Sequence, residues 1–335
     1  MKKACFLAVL LFLSCFTEIF GQQDPMFTKY MFNPMNYNPA YAGSAGGMDM
    51  MLLHRQQWIG IKDAPMTQNF NIHSPIKDNN IGLGLNMSLD QVNSSRAFNV
   101  YGAFAYRIPV FGKDKYGKSK GHLAIGLQGG VTNWSADWTQ MNLENPADPA
   151  FQNLQPNLWL PNFGAGLYLQ TEKWFIGLSS PMLISNQMRR NPDQNVPVAQ
   201  QYRHYYFSAG AAIPLGSPRI VFRPTLLVKN VGLFLDRNTL NKITAPNEFD
   251  IDLAMVFNQM LTVGVGFRSA FELNISSYDS ADFWVSLRLN NGLRIGASYD
   301  YSLTEMQGPG KGSLEFMLGY DLIRNYSGYR HVRYF

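Results

Sequence analysis

The chain has 335 residues, of which 46% are hydrophobic, 15% charged and 14% aromatic, with a mean hydropathy of −0.15. That is too polar for a protein crossing a bilayer with several helices, and no run of about 18 apolar residues follows the N-terminal stretch. The formal net charge of +5 is too weak and too dispersed to suggest nucleic acid. Low charge, abundant aromatics and no spanning helix instead suit a transmembrane β-barrel, apolar toward lipid and girdled by aromatic rims.

Residues 1–21 read as a secretory signal peptide, with Lys2 and Lys3 ahead of an apolar core from Ala4 to Phe16 and small Gly21 before the expected cut. Cys15 after Ser14 is a faint lipoprotein cue, opposed by Phe12 and by the apolar residues Phe16, Ile19 and Phe20 that follow. An uncleaved anchor needs a longer apolar run. Both cysteines, Cys5 and Cys15, lie in this segment, so cleavage leaves no disulfide and no thiol chemistry. It also leaves a formal charge of about +4.

Residues 22–46 have no clean period. They are dense in aromatic residues, Met, Asn and Pro, and the pairs Asn33-Pro34 and Asn38-Pro39 favour turns over helix. Such a segment does not span, yet it is too aromatic for a solvated tail. The expectation is a lead-in or plug, packed at the periplasmic mouth or within a lumen.

From residue 47 to 323 the pattern is alternation, with one face greasy and one wet, as strands require. Met48 to Trp58 sets Met50 and Leu52 against Arg55 and Gln57. Met66 to Ser74 sets Met66, Phe70 and Ile72 against Thr67, Asn69, Asn71 and His73. The clearest segment, Ile81 to Asp90, sets Ile81, Leu83, Leu85, Met87 and Leu89 against Gly82, Gly84, Asn86, Ser88 and Asp90. Further segments follow around Phe98 to Ile108, Leu123 to Val131, Phe163 to Leu169, Trp174 to Leu178, Arg203 to Ile213 and Ile220 to Val228. The last of these carries Pro224, which predicts a bulge. Phe249 to Phe257, Leu261 to Phe267, Phe283 to Leu289, Leu293 to Tyr301 and Leu314 to Tyr320 complete about fourteen strands, an even number as in bacterial single-chain barrels.

The connections alternate in length. Lys77 to Asn80, Thr171 to Lys173, Pro214 to Pro218, Asn258 to Met260 and Asn290-Asn291-Gly292 are short, the last a strong hairpin signal. Ser135 to Leu160, Pro181 to Gln200, Asn230 to Glu248, Arg268 to Asp282 and Ser302 to Gly312 are long. Short periplasmic turns and long external loops are the habit of outer-membrane barrels. Phe111 to Gly121, with Lys113, Lys115, Lys118 and Lys120, is the misfit, a long basic stretch on the short-turn side. Residues 324–335 form a tail ending Arg333-Tyr334-Phe335, either a terminal aromatic signal or a periplasmic tag.

No catalytic, cofactor or metal site is expected. His54, His73, His122, His204 and His331 are scattered, with no pair at metal-ligand spacing. Asp250 and Asp252 share an inward face, either a cation site or, as the better reading, two solvated carboxylates near Arg268 or Arg288. Gly82-Leu83-Gly84 and Gly264-Val265-Gly266 precede no helix, and inward glycines make room for lumen contents. Serine-hydrolase elbows and zinc-protease motifs are absent from the sequence, so the expectation is not an enzyme.

The run Gln23-Asp24-Pro25-Met26-Phe27-Thr28-Lys29-Tyr30-Met31-Phe32-Asn33-Pro34, then Tyr37-Asn38-Pro39-Ala40-Tyr41-Ala42-Gly43-Ser44, resembles the start of the PorP/SprF family of Bacteroidetes outer-membrane proteins. His54-Arg55-Gln56-Gln57-Trp58-Ile59-Gly60, Ala64-Pro65-Met66-Thr67 and the closing Arg333-Tyr334-Phe335 extend the likeness. The resemblance implies a place in the outer membrane and in type IX secretion and gliding. It also implies partners: an exported adhesin or cargo protein with a C-terminal secretion domain, and the periplasmic ring and motor. Its matched positions mark Tyr30, Phe32, Asn33, Pro34, Tyr37, Asn38, Pro39, Tyr41, Arg55, Trp58, Arg333, Tyr334 and Phe335 as candidate partner or plug contacts. A lumen of about fourteen strands is too wide for side chains alone to fill. A docking or anchoring role is therefore preferred, with a channel for hydrophobic small molecules and a passive porin as open alternatives.

Overall fold

The computed structural model describes residues 29–76, 80–113, 119–137, 139, 156–190, 197–231, 247–271, 278–304 and 310–322. The expected signal peptide, residues 22–28 of the lead-in and the tail with Arg333, Tyr334 and Phe335 lie outside the described residues.

Fourteen staves form the wall: β1 Met48–Gln56, β2 Met66–Ile76, β3 Ile81–Val92, β4 Ser95–Lys113, β5 Ser119–Ala136, β6 Asn157–Thr171, β7 Trp174–Ser180, β8 His204–Ala211, β9 Ser217–Val231, β10 Asn247–Phe257, β11 Leu261–Phe271, β12 Tyr278–Arg288, β13 Leu293–Ser302 and β14 Ser313–Leu322. Each pairs antiparallel with the next, β8 pairing with β9 from His204↔Val231 to Gly210↔Thr225. The ring closes where β1 meets β14, from Met48↔Leu322 to Gln56↔Leu314. Closure removes every sheet edge, which a lipid-embedded sheet requires because no water is there to satisfy a free edge.

The period of two settles which side chain goes where. Leu83 and Leu85 face lipid, 44% and 37% exposed, as do Phe104, Leu127, Val265, Phe283 and Leu318. Thr67, Asn69, Asn71, His73, Tyr101, Gln128, Asp252, Trp284 and Glu315 point inward and are buried. Burial on the inside means that the lumen is filled.

At one end the connections are short, as at Glu172-Lys173, Asn258–Met260 and Asn290–Gly292. At the other lie the long excursions 137–156, 181–203 and 232–246. By this asymmetry the first end is periplasmic and the second external. A two-residue turn, Asn93-Ser94 with Asn93 at φ 52°, is the exception on the external side.

Several expectations need correction. The basic Phe111 to Gly121 stretch is not a long periplasmic loop: β4 runs on to Lys113 and β5 starts at Ser119, leaving only 114–118 between them. Two long strands paired to their ends shorten the connection. Pro224 produces no bulge, since β9 and β10 stay in register through Pro224↔Leu253. The break falls in the neighbouring strand, where β8 stops at Ala211 and a short Ile213–Leu215 segment resumes pairing with β9. A missing N–H interrupts the ladder on one side only. The first strand ends at Gln56, two residues before Trp58.

Candidate functional site

Residues 29–47 fold back into the lumen as a plug of three 3-10 turns, Tyr30–Phe32, Pro34–Asn36 and Pro39–Tyr41. The sequence dictates this locally. Pro34 and Pro39 each open a turn, where a fixed φ and a missing N–H are harmless. Asn38 caps the last turn, its Oδ1 accepting the Ala40 N–H at 3.0 Å.

The leading end of the plug is held by charge. Lys29, 2% exposed, donates from Nζ to Asp252 on β10 at 3.1 Å and to Asp282 on β12. The Trp284 indole N–H also donates to Asp252, at 2.8 Å, and the Phe32 ring meets Trp284 edge-on at 4.9 Å. The Lys29 backbone N–H donates to Glu315 at 3.1 Å. The other oxygen of Glu315 faces Arg55 at 3.5 Å, and Arg55 donates to Asp300 at 2.7 Å. Tyr30 donates its hydroxyl to Thr225 on β9 at 3.0 Å. Asp252 is therefore not a solvated carboxylate beside Arg268 or Arg288, because the plug lysine takes that place. Asp250 does pair with Arg268, at 2.6 Å, and Arg288 pairs with Asp321, at 3.0 Å.

The middle is held by amides. Asn33 donates to Asn69, and Asn36 Oδ1 accepts from Asn69 and Asn86 at 3.3 and 3.0 Å. Asn38 donates to the Leu167 carbonyl at 3.0 Å, and the Tyr37 carbonyl accepts from Ser179 at 2.7 Å. Tyr37 packs between Tyr30 and Tyr206, with ring centroids 6.3 and 5.8 Å away. Burial pushes the Tyr30 and Tyr37 hydroxyls above their ordinary pKa, so both stay neutral.

The trailing end is held by shape. A Cβ on Gly82 of β3 would strike the Ala42 carbonyl, one on Gly126 of β5 the Ala40 backbone, and one on Gly166 of β6 the Asn38 amide. Inward glycines thus let the plug backbone lie directly on the wall. Tyr41 meets Tyr168 and His73 edge-on, at 5.4 and 5.3 Å, and His73 Nδ1 accepts the Gly43 N–H at 3.2 Å.

Of the residues expected as contacts, Tyr30, Phe32, Asn33, Pro34, Tyr37, Asn38, Pro39 and Tyr41 sit together in the plug. Arg55 joins them through Glu315. Trp58 stands apart in the external β1–β2 loop at φ 44°, where neighbouring Ile59 exchanges backbone hydrogen bonds with Lys311 and Gly312 at 2.9 and 2.8 Å. Sequence reading missed Lys29, Asp282, Glu315, Asn69 and Asn86 as plug partners. Lys29, the one basic residue of the aromatic stretch 22–46, was the available signal. Among the described residues no three of His, Cys, Asp and Glu converge in a metal-binding arrangement.

Comparison with solved structures finds outer-membrane barrels. The monoaromatic hydrocarbon channel CymD aligns with a TM-score of 0.50 and 10% identity, over 90% of this chain and 94% of that one. The Acinetobacter baumannii outer membrane protein Omp33 aligns at 0.46 and 5%, over 83% and 99%, and the KdgM porin at 0.36 and 8%, over 82% and 98%. At such identities the CymD likeness speaks to the fold alone. No curated protein sequence gives a significant match. The family model of the type IX secretion system membrane protein PorP/SprF matches residues 19–320. A plugged outer-membrane barrel with that match along nearly its whole length belongs to the PorP/SprF family of type IX secretion membrane proteins.

Proposed function

We propose that this barrel is a holder: it docks an exported adhesin or cargo protein through its external loops and keeps it at the cell surface while contacting the periplasmic machinery from below. The observation that carries this reading is the plug. It is tied to β2, β3, β6, β7, β9, β10, β12 and β14 by named hydrogen bonds or ion pairs, and it occupies the bore that a conduit or passive porin needs open. A plugged barrel carrying long external loops is suited to gripping a partner. The fold likeness to a hydrocarbon channel does not extend to an open path, because buried charge and amide pairs fill the middle of the lumen.

Deleting residues 23–44 is the direct test. The expected result is a barrel that inserts yet loses the exported partner from the surface of intact cells, read by immunofluorescence. Unchanged surface display in that mutant would overturn the proposal. Planar bilayers supply the second arm: the intact protein should be silent and the deletion conducting, and steady porin-like conductance by the intact protein would favour the passive pore.

A further inference from the structure

The plug has a direction. Its trailing end joins β1 at Met48, the periplasmic start of that strand. A Cβ on Gly43 would strike the backbone of Gly82 and Pro75, each one residue from the periplasmic end of its strand. Going back along the chain, Asn36 has climbed to Asn86, midway along β3. The Lys29 N–H has reached Glu315, two residues from the external end of β14. Glu315 is tied to Arg55, one residue from the external end of β1, and Arg55 to Asp300, two residues from that of β13. The segment 29–47 therefore crosses the lumen from the inner rim to the outer part of the wall.

The way back is closed. On the periplasmic side of Lys29 the Phe32 ring sits on Trp284 at 4.9 Å, Tyr30 is bonded to Thr225, and Asn33 to Asn69. The hollow beside the plug, lined by Arg223, Arg288 and Arg294, measures about 110 Å³. That is room for a few waters and too little for a second length of backbone. The ion pairs of Lys29 with Asp252 and Asp282, out of water on both sides, hold this end against slipping down the bore.

We infer that the chain is threaded outward through its own barrel: residues 22–28, freed by cleavage after Gly21, emerge on the external side. Reach allows it. An extended stretch of that length spans about 24 Å, whereas the strand residues between Glu315 and the rim rise only about 7 Å. A signal segment still held on the periplasmic side has no path to Lys29, so cleavage precedes closure of the wall around the plug. The N-terminus, and not the loops alone, then belongs to the outer face. This threading goes beyond the docking role and stands if docking fails.

The mature chain without residues 1–21 has no cysteine, so a single introduced cysteine reports its own side of the membrane. Gln23→Cys is compared in intact cells with Ser94→Cys in the external β3–β4 turn and Asn291→Cys in the periplasmic β12–β13 turn. The probe is a maleimide carried on a polyethylene glycol chain too bulky for porins. Each variant is first shown to reach the outer membrane in wild-type amount. The expected result is labelling of Gln23→Cys to the extent of Ser94→Cys, with Asn291→Cys labelled only after the outer membrane is opened. The mass of the purified chain should show residues 1–21 removed. Labelling of Gln23→Cys only in opened cells or only in the denatured chain would overturn the threading, as would a chain that keeps residues 1–21.

Discussion

The two ends of the plug are fixed by different physics. At Lys29 the wall offers Asp252 and Asp282, and the contact is an ion pair taken fully out of water. At Ala40 and Ala42 the wall offers no charge, and the contact is close packing of backbone on Gly126 and Gly82 beside the apolar side chains of Ala103, Ala105, Ala124 and Tyr168. A charge contact tolerates small displacements but fails completely when one partner is lost. A shape contact has no long-range attraction but admits no extra atom. The leading end is therefore held by attraction, and the trailing end by fit.

Breaking the charged end should have the largest effect. Lys29→Ala leaves two buried carboxylates without their cation, a loss of about 3–5 kcal/mol. Urea unfolding of the refolded barrel should show it, and bilayer recordings should show a conducting lumen. The triple variant with Asp252→Asn and Asp282→Asn should recover much of the loss, because no unpaired charge remains; failure to recover would mean that Lys29 acts through packing. Next comes the trailing end: Gly126→Leu should cost about 1–3 kcal/mol through overpacking against backbone. Asp252→Asn with Asp282→Asn should leave this defect unrepaired, which separates it from the charged end. In the middle, Asn38→Ala removes the bond to Leu167 and the cap on Ala40. It should cost about 1–3 kcal/mol and give intermittent conductance.

The smallest expected effect concerns pH. Tyr30 and Tyr37 have raised pKa values in the folded protein, so their contribution is fully present below the ordinary tyrosine value of about 10. It is lost as pH climbs through the raised values. Ultraviolet titration, compared with the Tyr30→Phe and Tyr37→Phe variants, should find Tyr30 and Tyr37 ionising above the ordinary value of about 10, with no change in plugging between neutral pH and about pH 9. Ionisation of Tyr30 and Tyr37 at the ordinary value would show that the plug does not shield them.

The barrel was largely legible in the chain because a strand's two faces follow from a period of two, which needs only neighbours in sequence. Leu83 and Leu85 on the lipid side and Asn69, Asn71 and His73 inside were readable residue by residue. The even strand count and the sorting of short and long connections followed from the same pattern. The plug was legible as a segment that could neither span nor dissolve. Its partners were not. Nothing local to Lys29 names Asp252, more than two hundred residues away, and two carboxylates at alternate positions look the same whether they meet water, arginine or a plug.

Sequence by itself determined the inside and outside of the wall, since alternation is a property of consecutive residues, and it marked the proline-led turns of the plug. Only the tertiary structure decided what the lumen holds and where it is left hollow. That outcome depends on ring closure between Met48 and Leu322 and on glycines of three strands meeting one plug segment. Such encounters are set by register around the whole cylinder, which no single stretch of chain contains.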